Sequence, residues 1–217
     1  MDAALTGWEQ WPAWLAAALV LARTVPGSRR HLAGTDEQAR RVLIAATLAL
    51  VAMRWFNTAA LQGVMLHFLG ATIATLMFGA GTACWVMAAV SLAGLLMGAA
   101  WQGWAMDFLA TGALPVAVTA IVSGAARTWL PRNVFTYVML NAFAGGAIAM
   151  AASMLAKAAV TAWLGGRALE AYLVATPMLM FAEAFFTGGV MVLVVVYRPQ
   201  WCRSFDDRAY LWPEQRM

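Results

Sequence analysis

The sequence predicts an all-α, polytopic membrane protein: a bundle of about seven transmembrane helices, N-terminus outside and C-terminus cytoplasmic. Composition is the first observation behind it. The 217 residues are 63% hydrophobic and 11% charged, with mean hydropathy +0.73. Soluble domains are about 25% charged, so this chain cannot cover its surface with polar groups in water. The second observation is that the apolar runs are continuous, whereas barrel strands alternate over about ten residues. A helix satisfies its own backbone hydrogen bonds in hydrocarbon. The third is the placement of the 14 basic residues. Arg23, Arg29, Arg30, Arg40 and Arg41 lie between the first two runs, Arg127 and Arg132 between the fifth and sixth, and Arg198, Arg203, Arg208 and Arg216 after the last. Crossing about seven times from outside puts these clusters in the cytoplasm, where Lys and Arg accumulate. Only Arg54 and Arg167 are left outside, with Lys157 in or near the sixth run.

The elements follow in order. The first run covers residues 11–25 and stops at Pro26, Gly27 and Ser28, a turn signal. Residues 26–40 form a short cytoplasmic loop, in which Thr35, Asp36 and Glu37 read as a helix start. The second run is 42–56 and the third 63–79. All three are short against the roughly 20 residues that cross a bilayer. Short or broken segments in a bundle tend to line a cavity. At 63–70 a passage from loop into helix is therefore expected as readily as a straight span. The fourth run is 81–101, the fifth 108–129, the sixth 135–163 and the seventh 172–197. The sixth is too long for an upright helix, so it tilts or extends past the membrane. Residues 198–217 are the cytoplasmic tail. Trp11, Trp55, Trp101, Trp129, Trp163 and Tyr197 mark run ends and read as headgroup anchors. Residues 1–217 read as a single integral membrane domain of the inner (plasma) membrane.

Several functions are excluded. The basic residues are scattered over loops, with no stripe for nucleic-acid phosphates. There is no phosphate-binding glycine loop. Cys84 and Cys202 show neither CxxC nor zinc spacing, and a disulfide between them is not expected. Residues 1–10 carry Asp2 and Glu9 and no basic residue, unlike a signal peptide, so the first helix is expected to persist. Small residues recur at Ala13, Ala17, Ala18, Ala22, Ala45 and Ala49 and in Gly145-Gly146 and Gly188-Gly189. Such positions let helices approach closely, and internal packing is the simpler reading.

Ionisable groups inside the membrane are costly, so each asks for a role. His67, Lys157 and Glu183 qualify, with Asp107 near the outer surface as a solvated carboxylate. His67 is flanked by Leu66 and Phe68. Imidazole ligates Ni, Co, Zn and Cu, and a lone histidine is also a common hydrogen-bonded interior residue. Glu183 sits within the seventh run. Its candidate roles are to pair with a basic group such as Lys157, to carry a proton, to contact substrate, or to make a polar helix–helix contact.

The third run, with Gly63-Val64-Met65-Leu66-His67-Phe68-Leu69-Gly70, resembles the GHLLGG-type helix start of the CbiM/NikM-type membrane components of cobalt and nickel energy-coupling factor transporters. The seventh run, from Phe181 through Glu183 and Thr187 to Tyr197-Arg198-Pro199, is similar to that family's Glu-Gly-containing final helix and its Arg-Pro ending. The opening around Trp8, Trp11, Pro12 and Trp14 matches the start of its first helix in shape. The similarity spreads over about 190 residues and is sharpest at His67 and Glu183. It implies a substrate-capturing subunit of an energy-coupling factor transporter, driven by an ATPase pair and a separate transmembrane coupling protein. It implies a transition metal ion such as cobalt or nickel as substrate, with His67 as a ligand and no resident cofactor. The family completes its chelate with the N-terminal amine and a histidine second in the chain. Here that residue is Asp2, and the asparagine-rich stretch before the fifth helix is replaced by Phe108 to Pro115. Either other ligands are recruited or the substrate differs.

Transport is thus the leading reading. A non-transporting membrane scaffold or regulatory protein on the same fold is the alternative. An intramembrane enzyme ranks last, because no second carboxylate and no HExxH motif accompany Glu183 and His67.

The topology is directly testable. Cysteines introduced between Pro26 and Gln38 should resist a membrane-impermeant thiol reagent in intact cells and react after permeabilisation. External labelling at these positions would refute the orientation.

Overall fold

The computed structural model describes residues 10–55, 58–61, 64–66, 68–164, 169–206 and 210. Among them nearly everything is helical: α1 Gln10–Ala33, α2 Glu37–Trp55, α3 Ala71–Ala93, α4 Trp101–Trp129, α5 Val134–Trp163 and α6 Leu169–Tyr197. A short antiparallel pair, β1 Thr58–Leu61 and β2 Val64–Leu66, lies between α2 and α3. The stretches Ala71–Leu96, Trp101–Trp129, Val134–Trp163 and Leu169–Tyr197 are long and apolar enough to cross a membrane. This is a multi-pass helical membrane fold.

Two sequence expectations need correction. Pro26 does not end α1, which continues to Ala33 and leaves only a short connection before α2. Proline removes one backbone donor but does not forbid a helix whose next turn is packed, and here Gly27 and Ser28 lie directly against Gly81 of α3. The helix start read at Thr35 to Glu37 is present: Asp36 Oδ1 accepts from Ala39 N at 2.7 Å, an N-cap bond. The second correction concerns the third and fourth runs. Residues 64–66 are a strand, and both runs contribute to the one element α3.

That element is not straight. Gly79 has φ 80° and ψ 156°, far from helical values. Its neighbours show what the break does. Residues 71–78 climb from Glu183, midway along α6, to the tail beyond it, where Met77 meets Arg203. After Gly79 the chain turns back. Gly81 touches α1 at Thr24 to Ser28, and Gly94 reaches Arg54 at the opposite end of the bundle. Residues 71–78 thus form a half-helix about 12 Å long, buried at every position. Broken backbone at membrane depth is tolerated when protein surrounds it.

Around this half-helix the remaining helices pack through small residues. A Cβ at Gly146 of α5 would meet Thr187 Cβ at 3.2 Å and the Glu183 carbonyl at 3.4 Å, so α5 rides directly on that turn of α6. Phe143 fills the space over Gly188 and meets Phe185 edge-on at 5.5 Å. Ala13 and Ala17 of α1 are buried, whereas Ala18, Ala22, Ala45 and Ala49 face outward. Trp11, Trp101, Trp129, Trp163 and Tyr197 are exposed at helix ends, as headgroup anchors should be. Cys84 and Cys202 are both free.

The two adjacent glycines of α6 should behave differently. A Cβ at Gly188 would lie 2.2 to 2.5 Å from the Phe143 ring, while Gly189 has nothing within 4 Å. Gly188→Ala should cost about 1–3 kcal/mol of stability through overpacking, and Gly189→Ala should be neutral or stabilise by up to about 1 kcal/mol. Thermal unfolding of the detergent-purified variants checks this, and equal melting temperatures would refute the packing.

Candidate functional site

A helix that starts inside a bundle leaves its first N–H groups without intrahelical partners. For the half-helix that start is Leu69 and Gly70, preceding Ala71. Gly70 adopts φ 62°, a left-handed conformation that favours glycine. Packing demands glycine as well, since a Cβ there would fall 2.2 Å from Leu50 Cδ2. This turn aims both N–H groups at Glu183. Leu69 N donates to Oε2 at 3.0 Å and Gly70 N to Oε1 at 2.9 Å. Thr187, one turn along α6, adds a longer bond to Oε1 at 3.3 Å. Glu183 is 1% exposed. Three donors on two oxygens is the pattern of an acceptor-only carboxylate, placed where the half-helix dipole favours negative charge.

The far end of the half-helix leaves carbonyls to satisfy, and the tail does so. A 3-10 turn, Pro199–Trp201, folds the chain back after α6. Arg203 N then donates to Met77 O at 3.0 Å and Ser204 N to Leu76 O at 3.1 Å. Ser204 Oγ and Cys202 Sγ reach the same Leu76 carbonyl, at 2.8 and 3.3 Å. Tyr137 of α5 closes the network with its hydroxyl 2.9 Å from Cys202 Sγ and 2.5 Å from Ser204 Oγ. Burial raises the pKa of the Cys202 thiol, so it stays protonated as a donor.

Of the other residues singled out in the sequence, His67 lies outside the described residues. Lys157 does not join Glu183. It is buried in α5, where its charged neighbours are Asp107 and Arg54. Asp107 is not merely solvated: Arg54 Nη2 donates to its Oδ2 at 2.6 Å, with both side chains largely buried. Among the described residues no group of three or more His, Cys, Asp or Glu comes together. Sequence reasoning missed that Glu183 bonds to backbone, which has no side-chain signature. It also missed the capping role of residues 202–204. The available signal was Gly70 and Gly79 bracketing a short apolar stretch.

A family model, described as the cobalt uptake substrate-specific transmembrane region, matches residues 1–201. No curated protein and no solved structure matches the chain.

Because both oxygens of Glu183 accept N–H bonds, glutamine is not a neutral replacement. Its amide NH₂ would face a backbone N–H and leave that donor unpaired, costing about 1–3 kcal/mol. Glu183→Gln should therefore melt clearly below wild type, and Glu183→Ala lower still. An unshifted Glu183→Gln would mean the carboxylate does not hold the half-helix.

Proposed function

The chain belongs to the cobalt uptake substrate-specific transmembrane family, and we propose that Glu183 holds the start of the half-helix so that His67, two residues upstream of Leu69, serves as a metal ligand. The protein is the substrate-specific membrane component of a cobalt-type uptake transporter, a family of transporter components and not of enzymes. Such components act with other transporter subunits in the membrane. An ATPase and a transmembrane coupling protein, in the inner (plasma) membrane, complete the transporter in this reading. The transition metal ion is its cargo, and cobalt or nickel suits an imidazole ligand. One imidazole is an incomplete cage, so this reading requires further ligands besides His67.

The observation that carries this reading is the pair of bonds from Leu69 and Gly70 to Glu183. A ligand must be held by its surroundings to bind a metal well, and a buried carboxylate on α6 fixes the backbone immediately after His67. Topology fits the same reading. Counting α1, α2, the segment ending in the half-helix, the return of α3 after Gly79, α4, α5 and α6 gives about seven crossings. Leu15, Leu19, Ile44 and Leu48 are exposed on α1 and α2, as lipid-facing residues would be. The bundle end carrying His31, Met77 and Arg203 is then cytoplasmic, along with the three basic clusters, and residues 1–217 act as one integral membrane unit.

The test is metal content after purified protein is exposed to Co(II), Ni(II), Zn(II) and Cu(II) and desalted. Wild type should retain cobalt or nickel, and His67→Ala should lose at least about ten-fold in affinity, the lower end of what removing even a ligand's hydrogen-bond partner costs. Equal retention by the two proteins would remove His67 from the site.

A further inference from the structure

An unassigned cavity lies at the end of the bundle carrying the basic clusters. Its volume is about 550 Å³, and its walls come from the α1–α2 connection, the end of the half-helix and the tail. Three cationic or protonatable side chains line it: Arg30, His31 and Arg203. Among the described residues Asp36 is the one acid in its wall, and its Oδ1 is already engaged by Ala39 N. Arg30 is braced by a bond from Nε to the Pro26 carbonyl at 3.2 Å. Arg203 is held by its backbone bond to Met77 and by packing on Gly79, where a Cβ would come 3.1 Å from Nη1. Trp201 also lines the cavity, and its buried indole Nε1 has no hydrogen-bond partner among the described residues. Burial and, after it, the nearby Arg203 charge lower the pKa of His31.

We propose that this cavity binds a phosphate-bearing anion, the headgroup of an anionic phospholipid. The arginines are fixed from separate elements and leave guanidinium donors suited to phosphate oxygens. A free inorganic phosphate offers the same chemistry. Position favours the lipid. Trp201 and Arg198, which stack with the guanidinium 5.8 Å from the ring centroid, follow directly on the end of α6. Basic pockets at the cytoplasmic ends of membrane helices are where anionic headgroups bind. A bound headgroup would bridge Arg30 on α1 to Arg203 on the tail. Since Arg203 packs on Gly79, it would brace the reversal of α3. The proposal does not depend on metal binding at His67.

The experiment compares wild type, Arg30→Gln and Arg203→Gln in mixed micelles with phosphatidylglycerol or phosphatidylcholine, and separately with inorganic phosphate. Thermal unfolding and lipid retention in native mass spectrometry are read together. Phosphatidylglycerol should stabilise wild type and be retained, phosphatidylcholine should not, and each variant should bind about five-fold more weakly. Arg30→Gln alters an exposed side chain and keeps the test valid if Arg203→Gln folds poorly. Stabilisation by inorganic phosphate equal to that by phosphatidylglycerol, lost in the variants, would keep the site and reassign its source to free phosphate. Equal lipid retention by wild type and both variants would overturn the proposal. So would variants that bind lipid normally but fail to co-purify with the other transporter subunits, which would make the cavity a protein-docking surface.

Discussion

Ending a helix inside a membrane is the constraint on which the rest of this fold depends. Each unpaired backbone group in an apolar interior costs several kcal/mol, and residues 71–78 expose such groups at both ends. One element closes both. Glu183 on α6 takes the N–H groups of Leu69 and Gly70, and the tail that follows α6 supplies donors to Leu76 and Met77. The half-helix is therefore clamped lengthwise by a single partner. It cannot slide along α6 without losing bonds at one end or the other.

The clamp dictates the residues around it. Gly70 and Gly79 take positive φ at the two ends, Leu50 fills the space a side chain at Gly70 would need, and Arg203 packs closely over Gly79. Gly146 lets α5 settle on the turn of α6 between Glu183 and Thr187. Thr72 and Thr119 share a hydrogen bond at 2.9 Å, tying the half-helix to α4. The half-helix is thus enclosed by protein on all sides, which allows non-helical backbone beside it at this depth.

How much of this could be read from the sequence follows from what side chains can signal. Helical class and the grouping of basic residues are written in hydropathy and in Arg positions. Glu183 stood out because a carboxylate in an apolar run is expensive. The short third run, with glycines at Gly63 and Gly70, already hinted at a passage from loop to helix. Pro26 misled because its turn propensity is overridden by packing of the following turn on Gly81. The bond from Arg54 to Asp107 joins positions 53 apart, and no local pattern reports such a pair. The partners of Glu183 were invisible for a deeper reason. They are main-chain donors that any residue carries, and only the geometry of Gly70 turns them toward α6.

The two ends of the half-helix face different chemistry. Its start follows His67 by a few residues, and its finish abuts the basic cavity through Met77, Gly79 and Arg203. Between them lies a short, fully enclosed helix, which transmits displacement along its axis better than a loop would. If a ligand at the His67 side shifts Leu69 and Gly70, Glu183 either follows or gives up its donors. Following moves α6, and with it the tail that caps Leu76 and Met77. The half-helix and α6 are bonded at both ends, so displacing either one leaves a buried donor or acceptor unpaired.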